Sequence, residues 1–248
     1  MPVLTIVLLS LAALGAGTVD AIAGGGGLIT VPALLAAGLD PLRALATNKG
    51  QSVWGSGAAL VAFWRAGRVD RKQAVFTFPL GLVGSFAGAM IVSAIDKEAL
   101  RPIVIGMLIG AATLLVIRKP TRDEDATGSR WWAAALLAVL IGAYDGFFGP
   151  GTGTFLIVGF VVLCRRSLVH ASADAKVVNF ASNLAAVLVF TTNGNVVWEV
   201  ALPMGVGQLL GGVIGAHLAM KGGERIVRVV VLVVSGALIV KLLLDLIG

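Results

Sequence analysis

Two lysines and two glycine clusters are the residues of this sequence whose types and spacing could do chemistry. Lys49 stands in ALATNKGQS and Lys176 in SADAKVVNF, each near the start of a long, mostly apolar run. An ammonium at the centre of a membrane helix costs about 2.5–3.5 kcal/mol on insertion scales unless it is paired or reached by water. Both are therefore candidate substrate-binding groups for an anion, with snorkelling of the stem to the interface as the structural alternative. Asn48, Asn179 and Asn183 add neutral donors beside them. The clusters GGGG at 24–27 and GPGTG at 149–153 interrupt apolar segments. Such breaks free backbone N–H groups and aim the positive end of a following helix at whatever occupies the gap. Gly24, Gly25, Gly26, Gly27, Gly149, Gly151, Thr152 and Gly153 are thus candidate anion ligands, with helices expected to begin near Leu28 and Phe155. Tight turns between packed helices are the alternative. Asp20 and Asp145 each lie four residues ahead of a cluster and fit two roles, charge-balancing or coupling groups of an empty site, or local backbone caps.

These residues need a scaffold, and composition says which kind. The chain has 248 residues, 58% of them hydrophobic and 13% charged, with a mean hydropathy of +0.97. Too few charges are present to cover a soluble globule. Apolar runs at 3–23, 44–64, 73–95, 99–117, 131–148, 171–191, 199–220 and 224–246 each approach the roughly 20 residues that cross a bilayer as a helix. Two further runs, 27–38 and 152–164, are too short to cross without tilt. An all-α integral membrane protein with glycine-rich helix breaks is expected, multi-pass in a bacterial cell (inner) membrane. The 33 glycines are spread through the spans, where small residues let helix backbones approach. Gly88 reads as such a packing position, at which alanine should be tolerated better than valine at Gly26 or Gly151. The N-terminal run lacks a basic leader and reads as the first structural helix. Trp64, Trp131, Trp132 and Trp198 sit at span ends as interface anchors.

The scaffold is duplicated. Sliding the sequence on itself by 125 residues sets Asp20 on Asp145, Gly24 on Gly149 and Gly26 on Gly151. At 127 residues, Lys49 falls on Lys176, Gly84 and Gly88 on Gly211 and Gly215, and Arg101 on Arg228. The division is an N-terminal membrane repeat, 1–117, a charged cytoplasmic linker, 118–130, and a C-terminal membrane repeat, 131–248, forming one membrane domain. With an odd number of crossings per repeat, thirteen of the 19 lysines and arginines fall inside and four outside, while Lys49 and Lys176 lie within spans. An even number divides them almost equally. The positive-inside rule selects the odd count, which makes the halves two inverted repeats of about five helical segments each. Loop charge leaves open whether 3–38 and 131–164 cross or fold back as hairpins.

Enzymatic chemistry finds no footing. No HExxH, GxSxG, GxxxxGK[ST] or GxGxxG motif occurs in a usable context, and the single Cys164 excludes an internal disulfide. No metal, cofactor or ATP is called for. The basic residues are dispersed in short loops, so membrane orientation explains them and nucleic acid is not an expected partner.

GTVDAIAGGGGLITVPALLAAGLDPLRALATNKGQS, together with GAYDGFFGPGTGTFLIVGF and ASADAKVVNFASN, resembles the TauE/SafE sulfite-exporter family of permeases, in its YfcA-like subgroup. The resemblance runs from Leu11 to Asp245. It implies export of a small sulfur-containing anion, sulfite or an organosulfonate, with the glycines of both clusters, Lys49 and Lys176 at matching motif positions. The expectation is a secondary transporter working by alternating access. A passive anion channel and a structural or assembly protein are the alternatives. The expected partners are a small anionic substrate, the lipid bilayer and, as an open point, a second copy in a homodimer.

Overall fold

The computed structural model describes residues 1–117 and 130–247. The linker expected at 118–130 lies outside them apart from Arg130, as does Gly248. Among the described residues the chain is all-helical: α1 (Val3–Ala23), α2 (Gly27–Ala36), α3 (Pro41–Arg65), α4 (Arg71–Ser93), α5 (Lys97–Ile117), α6 (Trp131–Phe147), α7 (Thr152–Val162), α8 (Leu168–Thr192) and α9 (Trp198–Ile247). Four stretches are long and apolar enough to cross a bilayer: α1, α4, α8 and Trp198–Gly222 of α9. The separate runs expected at 199–220 and 224–246 form one unbroken helix of 50 residues. Lys221, Gly222 and Gly223 carry no proline to end it, and glycine lowers helix propensity without removing a backbone hydrogen bond.

Local signals explain the ends. Asp40 caps α3 by accepting from the Arg43 N–H at 3.1 Å, with Pro41 at the first helical position. Asp70 caps α4 through the N–H groups of Lys72 and Gln73, both at 3.1 Å. The C-termini of α3 and α8 close by the same device. Arg68 N–H donates to Phe63 and Gly67 N–H to Trp64, as Asn195 donates to Phe190 and Gly194 to Thr191. Gly67 and Gly194 share a φ of +68°, the left-handed closure that glycine adopts without strain.

α2 and α7, with 10 and 11 residues, are about 15 Å long at 1.5 Å per residue and half the depth of a bilayer. Each folds back along the long helix before it. Gly159 of α7 lies against Leu137 of α6, and just past α7 the Cys164 Sγ reaches the Arg130 carbonyl, 3.9 Å away, where α6 begins. Gly26 sits against Ala16 and Asp20 of α1, and Leu34 near the end of α2 shares a core with Leu9 and Ala13. The two segments are therefore hairpins, the arrangement that loop charge left open. Burial pushes the Cys164 thiol up to about 11, so it stays protonated where it packs.

The hairpins exchange partners between halves: α1 packs on α9 and α6 on α4. Close approach of small residues makes these contacts, in matching register. A Cβ on Gly84 would fall on the Val139 carbonyl, and one on Gly211 on the Leu14 carbonyl. One on Gly88 would fall on the Ala143 carbonyl and 2.8 Å from the Phe147 nitrogen, as one on Gly215 would fall on the Thr18 carbonyl. Alanine at Gly88, read from sequence as milder than valine at Gly26 or Gly151, therefore still carries a cost. The neighbour is helix backbone rather than a flexible side chain, so the two helices would have to separate.

α3 and α8 run antiparallel through the centre. The Asp70 N–H, past the end of α3, donates to Asp174 Oδ1 near the start of α8 at 2.9 Å. At the other end the Val197 N–H, past α8, donates to Thr47 Oγ1 near the start of α3 at 3.1 Å. These helices carry the lysines.

Candidate functional site

Each hairpin breaks where glycine alone fits comfortably. Gly24 and Gly25 have φ of +74° and +92°, and Gly149 and Gly151 have +99° and +88°, values at which a side chain is strained. α2 begins at Gly27 and α7 at Thr152, one and three residues ahead of the positions expected from sequence. The two breaks pack on one another. A Cβ on Gly153 would lie 2.6 Å from the Gly24 Cα, and one on Gly27 would lie 3.2 Å from the Pro150 Cα. Thr154 Oγ1 donates to the Ala23 carbonyl at 2.8 Å, and the Tyr144 hydroxyl to the Pro150 carbonyl at 2.6 Å. The N–H groups of Gly27, Gly153 and Thr154 have no hydrogen-bond partner among the described residues.

The lysines reach these breaks from α3 and α8, and each pairs with the aspartate of the opposite half. Lys49 Nζ lies 2.6 Å from Asp145 Oδ1 and donates to Asn183 Oδ1 at 3.1 Å. Lys176 Nζ lies 2.7 Å from Asp20 Oδ2 and also donates to the Asp20 carbonyl. Lys49 is 1% exposed and Lys176 fully buried, so neither snorkels. Asp145 takes a second bond from the Ser182 hydroxyl. Asp20 takes its second from the Gly26 N–H at a long 3.3 Å.

Amides extend the network. Asn183 Nδ2 donates to Asn179 Oδ1 at 2.7 Å and to Ser56 Oγ at 3.2 Å. Asn48 Oδ1 accepts from Thr30 Oγ1 at 2.6 Å and from Gln51 Nε2 at 2.9 Å. Between these groups lies a cavity of about 20 Å³, enough for roughly one water. Asp20, Gly25, Gly26, Gly27, Asn48, Lys49, Asp145, Gly149, Gly151, Thr152, Gly153, Asn179 and Asn183 all line it. Gly24 and Lys176 do not. Gly24 is covered by Gly153, and Lys176 stands behind Asp20. Ser52 and Gln208 also line the cavity and were not anticipated. Ser52 is one helical turn beyond Asn48, and Gln208 is a lone amide in GVGQLLGG; both signals were readable.

A second charged cluster sits at the junction of α3 and α8 away from the cavity. Arg166 pairs with Asp70, and its Nε lies 3.2 Å from Asp174 Oδ2. Partial burial alone would raise the Asp70 carboxyl. The Gln73 N–H, the Arg166 guanidinium and the Lys72 N–H together hold it below the usual carboxylate range.

A polytopic helical fold with ion pairs and broken helices at its centre is that of a membrane transport protein, since irregular backbone at such depth is tolerated where it is buried in protein or lines a cavity. The chain belongs to the family described as Sulfite exporter TauE/SafE, which it matches over residues 9–242. It is 40% identical over 239 residues to a probable membrane transporter protein, ORF9, of Sinorhizobium sp, covering 96% of this chain and 92% of that protein. It is 38% identical over 233 residues to the probable membrane transporter protein YfcA of Escherichia coli K12, covering 93% and 86%. A probable membrane transporter protein of Haemophilus influenzae is 35% identical over 232 residues, covering 93% and 91%. No solved structure matches.

Proposed function

We propose that the chain is a secondary transporter that exports a small sulfur-containing anion, of the sulfite or organosulfonate class, by alternating access between two inverted repeats. The observation that carries this reading is the pair of buried lysine–aspartate bridges made across the halves. A bridge that only stabilised the fold would be a poor investment, because desolvation offsets most of its Coulomb energy. Two ammoniums held ready by carboxylates beside broken helix ends form instead a receptor for an oxyanion. Its oxygens would exchange with the carboxylates and take the unpartnered N–H groups of α2 and α7. The sulfur class comes from the family description and fits donors arranged around a compact, multiply oxygenated anion.

The antiparallel contacts of α3 and α8 and the matching register of the hairpin glycines support inverted repeats, in which rocking of one half on the other opens a central site to alternate sides. The one-water cavity corresponds to a closed conformation. Purified protein in liposomes preloaded with unlabelled sulfite should concentrate labelled sulfite by saturable counterflow. Conductance without counterflow would instead indicate the channel alternative.

A further inference from the structure

Resting on the anion site proposed above, we infer that the anion is bound together with a proton, carried by Asp20. The argument is one of charge. Lys49, Lys176, Asp20 and Asp145 balance to zero in the closed site, and a singly charged anion such as methanesulfonate entering it would leave one uncompensated negative charge away from water, which is strongly unfavourable. Each lysine already faces a carboxylate at 2.6 or 2.7 Å, so neither offers a spare positive charge to the anion, and balance must be restored by a group that can shed its negative one. An aspartate can. When an anion oxygen takes Lys176 Nζ from Asp20 Oδ2, the released carboxylate forms an O–H bond with a proton drawn from water, and the occupied site returns to neutrality.

Two observations place the proton on Asp20 rather than Asp145. The Asp145 side chain is 3% exposed and that of Asp20 19%. Asp145 is also held at both oxygens, by Lys49 and by the Ser182 hydroxyl, whereas Asp20 Oδ1 has only the 3.3 Å contact from Gly26. Every element packed around Asp20 is accounted for. α8 presents Lys176; α3 presents Lys49 and α6 Asp145 across the cavity; α2 and α7 present glycine backbone; α9 presents the uncharged Gln208. No other titratable group of the described residues lines the cavity.

The test uses sulfate and methanesulfonate, whose charge is constant near neutral pH. Titration calorimetry of the detergent-purified full chain in buffers of different ionisation enthalpy counts protons directly and needs no variant. Uptake of about one proton per methanesulfonate is expected, with affinity falling about tenfold per unit rise in pH. In Asp20→Asn the proton count should fall to zero and the dissociation constant should no longer change with pH. Binding without proton uptake in the parent, or undiminished uptake in Asp20→Asn, overturns the inference and leaves the anion site standing. Failure of both anions to bind folded parent at any pH removes the site and this inference with it.

Discussion

The two ion pairs stand at positions that the 125- and 127-residue sequence offsets set on one another, yet one is sealed and the other is not. Lys49 and Asp145 are 2% and 3% exposed at their side chains, and Asp145 is locked further by Ser182. Lys176 is as buried, but its Asp20 is 19% exposed. The same divergence recurs at the two junctions of α3 and α8. One is a charged latch of Arg166, Asp70 and Asp174; its counterpart is a single neutral bond from Val197 to Thr47. The groups stand in matching register while their surroundings differ, and under the proposed mechanism the sealed pair would hold while the exposed one exchanges.

The largest test of that difference removes a carboxylate. Asp145→Ala leaves Lys49 charged and buried, a loss of about 3–5 kcal/mol, while Asp20→Ala should cost clearly less, because water and the Asp20 carbonyl remain available to Lys176. Thermal unfolding of the two variants in one detergent checks this, and equal losses would mean the pairs are equivalent. Next in size, Gly88→Ala should cost on the order of 1–3 kcal/mol by overpacking. Gly15→Ala, with nothing within 4 Å of its new methyl, should be neutral or slightly stabilising. Similar melting temperatures for both would remove close backbone packing from the account.

The latch gives a smaller effect. Arg166→Gln should shift the balance toward the conformation open on that side, read as faster labelling of a cysteine introduced at Ser52. Thr47→Val, at the neutral junction, should cost about 1 kcal/mol and change labelling little. Because the folded-state pKa of Asp70 is depressed, its contribution is present above the unfolded value of about 3.9 and is lost as pH falls through the lower folded value. In an Asp174→Asn background, which leaves Asp70 as the latch's carboxylate, labelling at the introduced cysteine, normalised at each pH to an exposed reference cysteine so that the falling thiolate fraction cancels, should therefore stay flat from neutral pH down to about 4 and rise below it. A rise centred near neutrality would point to another group.

Much of this was legible in the residues. The glycine clusters announced the breaks to within three residues because few other signals interrupt an apolar helix, and the 125- and 127-residue offsets set each lysine and aspartate on its mate. Which aspartate each lysine meets was not legible. The crossing of Lys49 to Asp145 and of Lys176 to Asp20 depends on α3 and α8 passing each other antiparallel, a tertiary fact that no local pattern carries. The cost of alanine at Gly88 was not legible for the same reason: its type says small, while only the partner helix says that backbone, and not a side chain, lies against it. The continuity of α9 through Gly222 and Gly223 also escaped a reading that took paired glycines as a boundary.

The central claim is that the two lysines hold one anion between them. Removing a lysine alone would strand its aspartate, so the variants to compare are Lys49→Met with Asp145→Asn, Lys176→Met with Asp20→Asn, and all four changes together, each first shown to be folded. Calorimetric titration with the tightest-binding of sulfite, sulfate and methanesulfonate measures the claim directly. Each paired change should weaken binding by roughly 1.5–3 kcal/mol, about 10- to 150-fold, and the two losses should be coupled rather than additive. Unchanged affinity in both paired variants would contradict the claim and leave the buried bridges as structure alone.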